Sequence, residues 1–335
     1  MADAIHPHDA LTGGTALPSL PPCEHFAGNE RQMRKALELQ QRLGPVFDLT
    51  CDCEDGAPVG SEAAHVEMIA GLVASADNRF GRVGVRVHDP DHPSWSHDID
   101  VLLSRAGERL AYLTIPKVAS AARAEAAIGY VGSRVLHFGL RRAIPVHVLM
   151  ETHGAMHDAW SIAALPWVET LDFGLLDFVS SHGGALDESA MRSPGQFEHR
   201  LIIRAKADLA AAALAHGIVP CHAICMDTGD PEAAYRDASR ARREYGFLRM
   251  VSIHPNQIEP IVRAMTPELS LIGRSADILL AGQAAGWGPI KHDGQMHDRA
   301  SYRHFWQVLQ RARACGAGLP PAAEAAFFGN QRSTG

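Results

Sequence analysis

Seven short apolar or β-branched runs recur along the chain, separated by Ala-rich stretches of helical character, and this rhythm leaves few architectures open. The runs cover 46–51, 82–88, 110–115, 144–150, 168–173, 219–226 and 247–253, and the helical stretches 62–76, 119–131, 157–164, 197–215 and 231–245. Alternating units of this kind build a parallel sheet with helices packed on it. An eighth strand has to lie near 15–20, ahead of a helix at Glu30–Leu43, although LPSLPP carries too many prolines for a comfortable central strand. Polar groups gather just after the strands, in CDCEDG, VHDPDHP, IPK, METHG, FGLLD, CMDTGD and IHPNQ. A (β/α)8 barrel keeps its active site at that end of its strands. A doubly wound open sheet does the same, but its GxGxxG turn is absent here. The fold class expected is therefore α/β, a (β/α)8 TIM barrel over residues 1–265 with a C-terminal helical extension over 266–335. From Thr266 the βα rhythm stops, and two helical stretches flank GWGPIKHDGQMHD.

Size and charge narrow the function. The 335 residues suit one barrel of about 250 residues plus an extension. A formal charge of -7, with no run of Lys or Arg able to track a phosphate backbone, argues against nucleic acid as a partner. No apolar stretch approaches the ~20 residues that span a bilayer, and MADAIHPHDALTGG lacks the pattern of a secretory signal. The six cysteines form no CxxC pair and no disulfide framework. These features predict a cytoplasmic protein with reduced thiols and no membrane contact.

Two acids at strand ends are the leading metal ligands. Glu151 closes IPVHVLME and Asp177 follows TLDFGLL one βα unit later, so their carboxylates can meet at the barrel mouth. A hard cation such as Mg²⁺ or Mn²⁺ takes oxygen ligands and keeps several waters, so two carboxylates suffice. The alternative is that Glu151 pairs with a neighbouring base and Asp177 caps a helix. Arg86, inside VGVRVH, needs an anion if it points inward; that anion is either a substrate carboxylate gripped by its fork or a structural partner, Glu54 or Asp55. Lys117 at the end of its strand could bind substrate or form a Schiff base, the latter only if kept apart from acids. In CDCEDG, alternation sends Asp52 and Glu54 to one side and Asp55 to the other. His88, His92 and His97 lie among aspartates but lack any zinc-site spacing.

DCEDGAPVG, VGVRVHDP, TIPKV, METHGA, DFGLLDF, IHPNQI and DGQMHD stand in the order and approximate spacing of the citrate lyase beta subunit-like family, which includes malyl-CoA and citramalyl-CoA lyases of the HpcH/HpaI aldolase superfamily. The resemblance runs from about Asp48 to Leu309. It implies a (β/α)8 barrel, a homotrimer or hexamer, and Mg²⁺-dependent cleavage or formation of a bond between an acyl-CoA and a 2-oxo acid, glyoxylate or pyruvate. By the same resemblance Glu151 and Asp177 are the metal ligands and Arg86 binds the oxo-acid oxygens. Glu54 with Asp55 is the acidic pair that orients water around the metal. Asp298 of DGQMHD is the acid/base, brought in on a C-terminal segment that completes a neighbouring subunit's site. The apolar Phe305, Val308 and Leu309, with Trp306, give the helix behind it a face able to dock on a partner.

Three positions depart from the family pattern. Cys53-Glu54-Asp55-Gly56 replaces Leu-Glu-Asp-Ala, His297 replaces an Ile, and the N-terminal strand lacks the Arg-Ser on the acyl-CoA side. The leading expectation is thus a carbon–carbon lyase acting on a 3-hydroxyacyl-CoA. A CoA-independent metal aldolase, a Lys117 Schiff-base aldolase and a weakly catalytic lyase-complex subunit are its rivals.

Overall fold

The computed structural model describes residues 5–11 and 17–329, which fall into two compact units. The larger, Pro21–Met265, is a closed barrel of eight parallel strands in chain order: β1 (Cys23–Ala27), β2 (Phe47–Asp52), β3 (Val83–Arg86), β4 (Leu113–Ile115), β5 (Val146–Met150), β6 (Val168–Phe173), β7 (Val219–His222) and β8 (Arg249–Ser252). β1 pairs with both β2 and β8, which leaves no edge. Six of the seven apolar runs contain their strand, most of them shortened where the run enters a loop, and in the run 46–51 the strand shifts by one residue to end at Asp52.

The first strand departs from the sequence expectation. Of the segment 15–20, residues 15 and 16 lie outside the described residues and 17–20 form no strand. The strand is CEHFA, directly before the helix Glu30–Leu43. Its Glu24 and His25 mask it as a strand, yet both are buried.

Strand alternation explains why. In FDLTCD, Phe47, Leu49 and Cys51 belong to the apolar core, while Asp48, Thr50 and Asp52 occupy the other face. The same split puts Glu24, His147, Asp172 and Arg249 inside the barrel, all fully buried, where branched aliphatic side chains are usual. Arg249 Nη2 lies 2.8 Å from Asp48 Oδ2 and 3.1 Å from Glu24 Oε2. Thr50 Oγ1 donates to Glu24 Oε1 at 2.6 Å, and the Tyr112 ring stacks on His147 at 3.7 Å. Gly84 on β3 makes room for that tyrosine, since a Cβ there would meet the ring at 2.2 Å.

The second unit joins the described residues up to Leu20 with the chain from Thr266. The N-terminal segment therefore groups with the extension rather than with the barrel. Helices Leu269–Ala284 and Arg299–Ala314 pack Ile272, Leu279, Trp287, Tyr302, Trp306 and Leu309 together. Between them runs a hairpin, Ile290–His292 and Gln295–His297, turned by Asp293 and Gly294 at positive φ, as a two-residue hairpin loop requires. Asp298 is the N-cap of Arg299–Ala314, accepting from the amides of Ala300 and Ser301. The docking face expected on this helix is corrected by the packing: Phe305, Trp306, Val308 and Leu309 are buried in the unit's own core and form no free apolar stripe.

Removing one partner of a buried ion pair leaves the others uncompensated. Arg249→Met should therefore lower unfolding free energy by about 3–5 kcal/mol in denaturant titration, because Glu24 and Asp48 lose their shared cation. An unchanged midpoint would show that these carboxylates are neutral.

Candidate active site at the barrel mouth

The parallel register sets Asp52 directly opposite Arg86 at the ends of β2 and β3. Arg86 Nε donates to Asp52 Oδ1 at 2.7 Å and Nη2 to Oδ2 at 2.5 Å, while Nη1 stands 3.1 Å from Glu54 Oε2. The guanidinium lies 5.2 Å over the Phe26 ring. Asp52 also accepts from the amides of Glu54 (3.0 Å) and Gly56 (2.9 Å). Space favours glycine at 56, since a Cβ would approach Asp52 Oδ2 to 2.3 Å and displace the carboxylate, while glycine is needed at 28, where a Cβ would lie 1.7 Å from the Gly56 carbonyl oxygen. This accounts for the glycine in Cys53-Glu54-Asp55-Gly56.

Glu54 bridges two cations. Besides Arg86 it accepts from Lys117 Nζ, which also donates to both Asp55 oxygens at 3.0 Å. Burial pulls the Lys117 ammonium down, but the hydrogen bonds it donates to Glu54 and Asp55 outweigh this and hold the group charged above its ordinary range. A Schiff base needs the free amine, so the geometry disfavours the lysine route. The expected separation of Asp55 from Glu54 does not hold, because the turn after β2 breaks the pleat and both reach Lys117.

Lys117 sits at φ +53°, and this twist aims its backbone N–H at Glu151 Oε1, 2.7 Å away. Glu151 follows β5 and is 3% exposed. Burial and then the neighbouring Asp177 push its carboxyl up to about 8, against the Lys117 amide and Arg86. Asp177 lies in the first turn of the helix Leu175–Ser180, whose N-cap is Gly174, so it is not the capping residue. A Cβ at Gly174 would stand 2.5 Å from Glu151 Oε2, so the approach of this turn to Glu151 depends on glycine. Thr152 ties the loops together by donating to the Val118 carbonyl at 2.7 Å and accepting from Ala155 N at 3.0 Å.

Glu54, Asp55, Arg86, Lys117, Glu151 and Asp177 thus share one mouth, whereas Asp298 belongs to the second unit. Asp52, Thr152 and Gly174 were not singled out as site residues. Asp52's role rests on register with Arg86, which a single sequence does not display. The VHDPDHP histidines serve the fold: His88 Nδ1 is 2.7 Å from Asp98 Oδ2, and His88 stacks on His92. The buried Glu151 carboxyl, its proton affinity raised by burial and by Asp177 beside it, forms with Asp177 a hard oxygen donor set, which fits Mg²⁺.

The HpcH/HpaI aldolase/citrate lyase family model matches residues 47–255. An L-malyl-CoA/beta-methylmalyl-CoA lyase of Cereibacter sphaeroides is 28% identical over 79% of this chain and 87% of its own length. A crystal structure of a citrate lyase from Burkholderia xenovorans LB400 is 48% identical, with a TM-score of 0.85, over 97% of this chain and all of that one. The CitE protein of Mycobacterium tuberculosis, solved with magnesium, acetoacetate and coenzyme A, shares the fold at 22% identity, with a TM-score of 0.66 over 88% of this chain and 98% of its own.

In metal-free protein Glu151 should titrate near pH 8, read from its carboxyl infrared or ¹³C signal, and Asp177→Asn should bring that value down. Between 4.5 and about 8 the folded chain holds a proton that the unfolded chain has lost, so this group lowers stability as pH rises through that window. An ordinary carboxylate titration in wild type would contradict the burial of Glu151 in the charge field of Asp177.

Proposed function

Because the chain belongs to the HpcH/HpaI aldolase/citrate lyase family, we propose that it is a Mg²⁺-dependent carbon–carbon lyase that cleaves or forms a 3-hydroxyacyl-CoA from an acyl-CoA and a 2-oxo acid, glyoxylate or pyruvate. The observation that carries this reading is the buried Glu151 carboxylate beside Asp177, with the Arg86 fork fixed at the same mouth. The malyl-CoA lyase relatives support the CoA-thioester class. Held by Glu151 and Asp177, Mg²⁺ would supply Lewis acidity toward the carbonyl and carboxylate oxygens of the oxo acid.

The protein's own groups do the remaining work. Arg86, locked by Asp52, presents a preorganised positive charge to those oxygens, where charge changes during cleavage. Glu54 and Asp55 keep Lys117 protonated as a second fixed cation, suited to binding an anionic substrate rather than attacking it. Asp298, from a neighbouring subunit of a homotrimer or hexamer, moves the proton at the carbon next to the thioester; such steps are typically worth about 10²- to 10⁴-fold. The lack of the family's Arg-Ser in the N-terminal strand favours a second reading, an aldolase of the same metal type that uses no CoA. A thermal-shift screen of acyl-CoAs and 2-oxo acids with Mg²⁺ separates the two, since a ligand of the native state raises its stability. Stabilisation by oxo acids alone would sink the CoA reading.

Glu151→Gln and Asp177→Asn should each abolish Mg²⁺-dependent cleavage while circular dichroism stays near wild type and melting does not fall, since each change removes a carboxylate from a crowded buried pair. Activity that survives either change with unaltered Mg²⁺ affinity removes the metal assignment. Co-refolding inactive Asp298→Asn chains with inactive Glu151→Gln chains should restore part of the activity, because some sites then combine an intact Glu151 with an intact Asp298 from another chain. Mixed oligomers that stay inactive would overturn the shared site.

A further inference from the structure

Four buried polar atoms gather inside the barrel without hydrogen bonds among the described residues. Asp172 on β6 is fully buried, and neither of its oxygens has a hydrogen-bond partner among the described residues. Glu24 Oε2 and His147 Nδ1 are in the same state; Arg249 Nη2 stands 3.1 Å from Glu24 Oε2 but without hydrogen-bond alignment. His147 Nδ1 lies 3.6 Å from Glu24 Oε2 and 3.9 Å from Asp172 Oδ2. Those spacings are too long for direct hydrogen bonds and leave only ion-pair attraction between His147 and the two carboxylates, a costly state for polar groups in a dry interior. Cys221 Sγ completes the group: Glu24, Asp172 and Cys221 each offer a donor atom within 4.8 Å of the other two.

We propose that the barrel interior holds a cation site distinct from the mouth, built by Glu24, Asp172 and Cys221 with His147 facing it, for a thiophilic divalent ion such as Zn²⁺. Bonds of about 2.0–2.3 Å in a tetrahedral centre put its ligand atoms roughly 3.3–3.8 Å apart; the three donors, within 4.8 Å of one another, close in on the ion when it binds. A thiolate among the donors selects Zn²⁺ over Mg²⁺. The other His147 nitrogen, Nε2, lies 3.4 Å from Glu169 Oε2, the carboxylate–histidine support common behind metal-bound imidazole. Two carboxylates and a thiolate carry one more negative charge than the ion neutralises; Arg249 beside Glu24 supplies a positive charge that it shares with Asp48. Burial pushes the Cys221 thiol well up, so thiolate forms only with a cation, and binding sends its proton to solvent. Glu24 pairs with Asp48, four residues before Asp52 on β2, which puts the site about 13 Å down the strand from the mouth. The proposal stands whether or not the lyase reading does.

A closed interior implies an ion acquired at folding and held against chelators. Full-length protein made in Co²⁺-supplemented medium, then treated with EDTA in the native state, should retain about one Co²⁺ per chain with a thiolate-to-cobalt absorption band, and release it on unfolding in guanidinium. The Glu151→Gln/Asp177→Asn double variant should keep both the ion and the band. Cys221→Ser should lose the band, and Asp172→Asn should lower retention by at least about tenfold. If these variants do not fold, the wild-type measurement decides alone. EDTA-treated wild type with no retained ion, or a band that persists in Cys221→Ser, overturns the proposal.

Discussion

The Asp52 carboxylate accepts four hydrogen bonds, two from the Arg86 fork and one each from the Glu54 and Gly56 amides, and the geometry of the mouth is built outward from it. Because the two amide bonds fix the turn after β2, Glu54 is held where it can touch Arg86 and Lys117 together. Lys117, so held, turns its own amide toward Glu151. One saturated carboxylate thereby links three strand ends and the residue proposed as a metal ligand. A site oriented in this way needs little reorganisation when charge shifts within it, the condition under which fixed dipoles and charges act most strongly.

Much of this was legible in the sequence, and the reason is locality. The βα rhythm is a periodicity within short windows, so the barrel and the crowding of polar residues after its strands could be read without tertiary information. The interval between Glu151 and Asp177 was legible for the same reason, since one βα unit fixes it. What escaped depends on partners distant in the chain. CEHFA looks unlike a core strand until Arg249, from the last strand, neutralises Glu24. The Asp52–Arg86 pair follows from strand register, and the burial of Trp306 and Leu309 from helices and an N-terminal segment that pack only in the folded unit.

The resemblance seen in short motifs and the match over residues 47–255 identify the same family. The departures from its pattern gain physical meaning in three dimensions. Gly56 is the residue that the close approach of Gly28 and Asp52 permits. His297 closes the hairpin whose next residue, Asp298, caps the following helix.

The charged interior of the barrel bears on how the chain can change over time. A barrel filled with aliphatic side chains can drift by single exchanges of similar volume, each tolerated on its own. Here Arg249 serves Glu24 and Asp48 together, Thr50 serves Glu24, and Tyr112 lies flat against His147 in the space left by Gly84. An exchange at any of these positions strands a charge or fills a reserved volume, so the viable steps are concerted ones. Along a lineage the interior should stay frozen for long intervals and then turn over as a block, while the apolar strand faces against the helices vary residue by residue.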